Sequence, residues 1–174
     1  MRSAAHKLTL VDTMDLAEPN LHIVLVRPEI PQNTGSIARL AAAIKARLHL
    51  VGPLGFSLED RYLKRAGLDY WPLVDLRVYP GWDQFVAEHR ESATAKFFST
   101  HAGASYLDAR YVRGDFLFFG CETAGLGREF VAERIDRAYR IPIFEPGVRS
   151  LNLSNAVSIV VYEALRQTGA LKTS

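Results

Sequence analysis

One cysteine, Cys121, stands among 174 residues, which excludes an internal disulfide and a cysteine-built zinc cluster. The five histidines, at 6, 22, 49, 89 and 101, show no H-x-x-x-H spacing, so no metal site is expected. No apolar run reaches the length that crosses a bilayer, and no secretory pattern opens the sequence. The chain lacks G-x-G-x-x-G, the Gly-Lys-Ser/Thr of a phosphate loop and the G-x-S-x-G elbow of a serine nucleophile. Charge of one sign is also scarce: 21 Lys and Arg against 19 Asp and Glu leave +2, too little for a blanket nucleic-acid footprint, although local basic patches remain open. These absences imply a cytoplasmic globular chain without membrane or metal.

A hydrophobic fraction of 48% is ordinary for a single packed domain of this length. The domain is expected over residues 21–169, between an N-terminal extension at 1–20, flexible by its aperiodic charge mixture, and a tail at 170–174. The nearly continuous apolar run at 21–26 reads as a buried strand. A small-residue helix is expected from 33 to 46, with Ile37, Leu40, Ala41 and Ile44 at helical spacing, then a strand at 48–51 closed by Gly52 and Pro53. A short helix at 59–66, a short strand near 73–74 and a helix at 82–89 follow. Strands at 96–100 and 115–119, a short helix at 128–134 and a strand at 138–143 broken by Pro142 lead to the last helix, 154–167. There Val157, Val160, Val161, Ala164 and Leu165 form one apolar stripe and Gly169 is the stop. Strands alternating with helices define an α/β fold with a mainly parallel sheet, whose ligands bind beyond the carboxyl ends of the strands.

Three polar segments follow strands. The run RSLNLSNAV at 149–157 offers Ser150, Asn152, Ser154 and Asn155 within six positions, more than one helix cap needs, so part of it is free to meet a polar ligand. The run GCETAGLG at 120–127 combines three glycines with one carboxylate, which suits close backbone approach to a neutral or cationic ligand as well as an ordinary strand-to-helix turn. In PQNTGSIAR at 31–39, Asn33 or Thr34 opens a helix. Arg39 is either a surface cation or shares a pocket with Asn33. Arg61, Lys64 and Arg65 interleave with Tyr62, Tyr70 and Trp71, a pattern that grips single-stranded RNA or simply coats an amphipathic helix. Cys121 reads as a buried small hydrophobe, and His22 and His49 as core or edge residues.

Together, NTGSIAR, FGCETAGL (119–126) and SLNLSNAV (150–157) resemble the three signature motifs of the SPOUT class of S-adenosylmethionine-dependent RNA methyltransferases. The runs IVLVRPEIPQNTG (23–35), RAGLDY (65–70) and VYEA (161–164) are most similar to the tRNA (cytidine/uridine-34) 2′-O-methyltransferases. The resemblance spans about 21–169 and implies a deep trefoil knot at the C-terminal side, a homodimer with sites near its interface, and tRNA as partner. It implies a donor pocket formed by Ser99, Thr100, Gly120, Glu122, Leu126, Ile141, Ser150, Leu151 and Asn155. The catalytic neighbourhood would be Asn33, Arg39, Glu122, Ser150 and Asn152, and RNA would be held by Arg39, Arg61, Lys64, Arg65 and Arg149. The chain departs from the family in its front extension, in Cys121, and in a first helix that continues through Ala43, Ile44 and Lys45 where relatives often carry glycine.

The activity implied is methyl transfer to a ribose 2′-hydroxyl, at tRNA nucleotide 34 or at another tRNA or rRNA nucleotide. A guanidinium resists deprotonation, so Arg39 is expected to clamp the adjacent phosphate and stabilise a developing alkoxide, while Asn33 or Asn152 orients the ribose. Glu122 would shape the field around a cationic donor, and Ser154 or Asn155 would start the last helix. The rivals are a non-enzymatic RNA-binding module, which needs no Glu122, Ser150 or Asn152, and a nucleotide-dependent oxidoreductase, disfavoured by the missing glycine fingerprint.

Overall fold

The computed structural model describes residues 18–59, 65 and 70–172. The expected extension over 1–17, most of the helix expected at 59–66, and residues 173–174 lie outside the described residues. Seven strands form one parallel sheet in the order β3-β2-β1-β6-β4-β7-β5. They are β1 (His22–Val26), β2 (Arg47–Val51), β3 (Asp75–Tyr79), β4 (Lys96–Phe98), β5 (Ala104–Ser105), β6 (Phe116–Phe119) and β7 (Ala138–Arg140). Among the described residues, α-helices with defined bounds connect or flank them: α1 (Pro31–Ala43), α2 (Trp82–His89), α3 (Arg128–Ala132) and α4 (Leu153–Gln167).

Alternation along β1 sends Ile23 and Leu25 to one face and Val24 to the other, and all three are fully buried. The first face is covered by α1 through Ile37, Ala38 and Ala41 and by α4 through Leu153, Val157, Val160, Val161, Ala164 and Leu165. The stripe read from the sequence is therefore the buried face of α4. At roughly 1.5–3 kcal/mol for each buried large aliphatic side chain, this packing outweighs the intrinsic helix propensity of a valine-rich segment. The second face is covered by Phe85 of α2 and Val131 of α3, with Trp82 and Phe130 at its margin.

Several boundaries differ from expectation for local reasons. Helix α1 begins at Pro31, whose missing N–H costs nothing in the first turn. Asn33 therefore lies inside the helix and does not cap it. The helix ends at Ala43 rather than continuing, and Lys45 takes φ 53°, the left-handed conformation that a glycine would adopt without strain. Around Pro72, residues Trp71–Leu73 form a 3-10 turn, which displaces the strand expected near 73–74 to Asp75–Tyr79.

A buried polar chain crosses the second face. His22 Nδ1 lies 2.9 Å from His49 Nε2, His49 Nδ1 lies 3.1 Å from the Tyr79 hydroxyl, and that hydroxyl lies 2.8 Å from His89 Nε2. His22 and His49 are 7% and 0% exposed. Burial, reinforced by the Arg47 charge, lowers the pKa of His22 to about 4. Burial and the neighbouring His22 lower that of His49 to about 2. At neutral pH both rings are uncharged, which lets His49 donate one hydrogen bond and accept another, between His22 and Tyr79.

Candidate active site

In a parallel sheet all carboxyl ends share one rim, and β1, β6, β4 and β7 are consecutive neighbours in it. The segments leaving these four strands, at 27–33, 120–125, 99–101 and 141–152, surround a cavity of about 400 Å³. Its position is where strand order reverses: the chain builds β1, β2 and β3 outward, then returns to the other side of β1.

Gly120 makes the close turn after β6 possible. A Cβ there would lie 1.9 Å from the Gly125 carbonyl carbon and 2.1 Å from the Leu126 nitrogen, both rigid backbone atoms. The loop folds back through a hydrogen bond donated by the Gly125 N–H to the Cys121 carbonyl at 2.9 Å, with Gly125 at φ 61°.

The loop's carboxylate then ties three segments together. Glu122 accepts from the backbone N–H groups of Glu29 (2.7 Å) and Ile30 (3.1 Å) and from the Asn33 side-chain amide (3.1 Å). Asn33 Oδ1 in turn accepts from Asn152 Nδ2 at 3.0 Å. Asn152 caps α4, its Oδ1 receiving the Ser154 N–H at 2.9 Å, the Asn155 N–H at 3.4 Å and the Ser154 hydroxyl at 2.7 Å. The cap is thus Asn152 rather than Ser154 or Asn155, because Asn152, at φ −52° and ψ 137°, is the non-helical residue directly before the helix, whereas Ser154 and Asn155 lie inside it. One amide side chain serves the helix with its oxygen and the site with its nitrogen.

A second carboxylate, unassigned from the sequence, completes the clasp: Glu29 accepts from the Thr123 N–H (3.2 Å) and the Thr123 hydroxyl (2.9 Å). Glu29 was visible within the PEIPQN run, but no local pattern signals a partner 94 positions away. His101, Cys121 and Ile143 also line the cavity without having been anticipated as doing so.

Of the residues read from the sequence, Asn33, Ser99, Thr100, Gly120, Glu122, Ile141, Arg149, Ser150, Leu151 and Asn152 all line the cavity. Leu126 does not line it; it is 4% exposed and packs into the second-face core. Asn155 is exposed on the first turn of α4, outside the wall. Arg39 also stands outside it, because six residues along an α-helix turn the side chain by about 120° from Asn33. Arg65 is exposed, and Arg61 and Lys64 lie outside the described residues.

The walls combine apolar side chains (Phe98, Phe119, Ile141, Ile143, Leu151) with backbone from four loops and the Glu122 carboxylate. Such a donor set fits a flat, partly apolar ligand bearing positive charge; a polyphosphate would lack its lysine-bearing cradle. Among the described residues no group of histidine, cysteine and carboxylate side chains could hold a metal, and no helix is long and apolar enough to cross a membrane.

The fold and this four-loop site define a class, and the chain belongs to the SpoU rRNA Methylase family, whose model matches residues 20–162. A tRNA (cytidine(34)-2′-O)-methyltransferase of Burkholderia ambifaria is 47% identical over 150 residues, covering 85% of this chain and 96% of that protein. A structure solved for insight into 2-OH methylation of C/U34 on tRNA superposes with a TM-score of 0.80 at 49% identity, covering 86% of this chain and 97% of that one. The SpoU methyltransferase AviRb of Streptomyces viridochromogenes, solved with AdoMet bound, gives a TM-score of 0.73 at 27% identity, covering 86% of this chain and 61% of AviRb.

Proposed function

We propose that this chain transfers a methyl group from S-adenosylmethionine to the ribose 2′-oxygen of tRNA nucleotide 34, a cytidine or a 5-modified uridine. The observation that carries the reading is the hydrogen-bonded series Asn152–Asn33–Glu122, which joins the three motif loops on the wall of one cavity. The names of the relatives supply the substrate. When bound, the donor supplies an electrophilic sulfonium methyl.

The chain's own residues do the rest by position and charge. Backbone at Ser99, Thr100, Gly120, Ser150 and Leu151 holds the donor, with Ile141 against its apolar part. Glu122 fixes the entry of α1 and places negative charge on the wall beside a cation. Asn33 and Asn152, each locked by its partner, orient the ribose. Arg39 grips the phosphate next to the reacting nucleotide and stabilises charge growing on the 2′-oxygen as its proton passes to solvent water; a guanidinium resists deprotonation, so it acts as a clamp rather than a base. Arg149 at the cavity mouth, with Arg65, Arg61 and Lys64, extends the RNA contact. Leu126 supports the donor loop from beneath.

The same reading includes a homodimer, a cytoplasmic location and a trefoil knot through which the segment before α4 is threaded, with the folded unit spanning 21–169. Ile159 and Tyr162, exposed on the outer face of α4, and Phe144, 94% exposed, suit a subunit contact. Methylation of total tRNA with labelled donor, followed by mapping of the nucleotide, tests the substrate; label at a different tRNA or rRNA ribose would replace nucleotide 34. Arg39→Ala should abolish transfer while calorimetry still records donor binding. Retained turnover would remove Arg39 from the mechanism, and a wild-type chain that gives no heat with S-adenosylmethionine would be an RNA-binding module without this chemistry.

A further inference from the structure

Arg39 raises a physical question that the cavity does not answer. A long, exposed cation loses rotamer freedom when held in one place. A carboxylate partner would hold it but cancel the charge for which it is needed. Among the described residues Arg39 has no acidic partner. Its guanidinium carbon lies 4.4 Å from the centre of the Tyr70 ring, and Nη2 donates to the Tyr70 hydroxyl at 3.0 Å.

We propose that Tyr70 is the positioning residue for Arg39: a neutral phenol that orients the guanidinium by ring face and hydroxyl while leaving its charge and remaining N–H donors free for an RNA phosphate. The proposal rests on the reading of Arg39 given above. Tyr70 is itself anchored. Its carbonyl accepts the Leu73 N–H at 2.9 Å, opening the Trp71–Leu73 turn, and Trp71 packs against the core under α1 and α4. Tyr70 is 37% exposed, so RNA can approach the pair from solvent without displacing it. A cation held by an aromatic face keeps its full charge, unlike one held by an ion pair, and an exposed contact of this kind is strong enough to bias a rotamer without trapping it.

The test is a double-mutant cycle on Arg39→Ala and Tyr70→Leu read as tRNA affinity, with single-turnover methyl transfer measured for the Tyr70 single variants and donor affinity as control. Tyr70→Leu should reduce transfer about tenfold, and Tyr70→Phe, which keeps the ring, two- to threefold. Donor affinity should not change. In the Arg39→Ala background, where transfer is already abolished, Tyr70→Leu should cost nothing further in tRNA affinity. A loss of the same factor in that background would overturn the proposal, because Tyr70 would then act without Arg39, as a direct base-stacking contact. Should the wild type transfer no methyl, the methyltransferase reading fails, and the tRNA-affinity cycle still decides whether Tyr70 works through Arg39.

Discussion

Lowering the pH from about 7.5 to about 5 should weaken the fold through two buried imidazoles. His22 and His49 have folded pKa values of about 4 and about 2, both below the unfolded value near 6.5. The neutral form is therefore favoured by folding, and the stability it contributes is present at and above neutral pH and lost as pH falls below about 6.5. Because both folded values lie under 5, the loss at pH 5 is governed by the 1.5 units between 5 and the unfolded value. At 1.36 kcal/mol per unit this is about 2 kcal/mol for each ring and about 4 kcal/mol for the pair. In a domain of this size that lowers Tm by roughly 8–16 °C. Glu91 titrates in a lower window: burial pushes it up, but hydrogen bonds and ion pairs with Arg134 and Arg137 outweigh this and hold it below the usual carboxylate range. The assay is chemical denaturation across this pH range for the wild type and for His22→Gln combined with His49→Gln, which keeps hydrogen-bonding groups but cannot titrate. The variant should be less stable at neutral pH and lose much less on acidification. If it loses as much as the wild type between these two pH values, the histidine chain is not the acid-sensitive element.

Asn152→Asp retains the oxygen that caps α4 but not the amide that donates to Asn33, so stability should change by less than about 0.5 kcal/mol while methyl transfer falls sharply; equal turnover would detach the cap from the site. Asp115→Ala leaves the Lys96 ammonium buried without its carboxylate and should cost about 3–5 kcal/mol in urea denaturation, much of it recovered by pairing Lys96→Met with Asp115→Leu.

Segments whose pattern is local could be read from the sequence. The apolar run of β1, the helix Trp82–His89 and the stripe of α4 carry their own periodicity, and the three motif loops follow directly from strand ends. What escaped depends on partners distant in sequence. Strand β5 is two residues long and exists only by pairing with β7. The edge strand β3 carries Asp75 and Arg77, so it lacks the apolar run that marks the interior strands. His22, His49, Tyr79 and His89 meet because parallel register stacks β1, β2 and β3 beneath α2; no spacing of four positions so far apart announces it. The double use of Asn152 was hidden for the same reason: four eligible caps sat together, and only the position of Asn33 decides which one has a second task.

The clasp at Glu122 also has a thermodynamic corollary. Its hydrogen bonds reach residues 29–33, 89 to 93 positions away along the chain, and Asn33 in turn meets Asn152 across 119 positions. An unfolded chain cannot reproduce such a wall, so the cavity's ligand has affinity for the native state alone. By mass action a ligand at a hundred times its Kd then adds about 2.7 kcal/mol to the native state, most of what two protonated histidines would remove at pH 5. A ligand of this site is thus also a stabiliser of the folded chain against acid or heat, by an amount that its concentration relative to Kd determines.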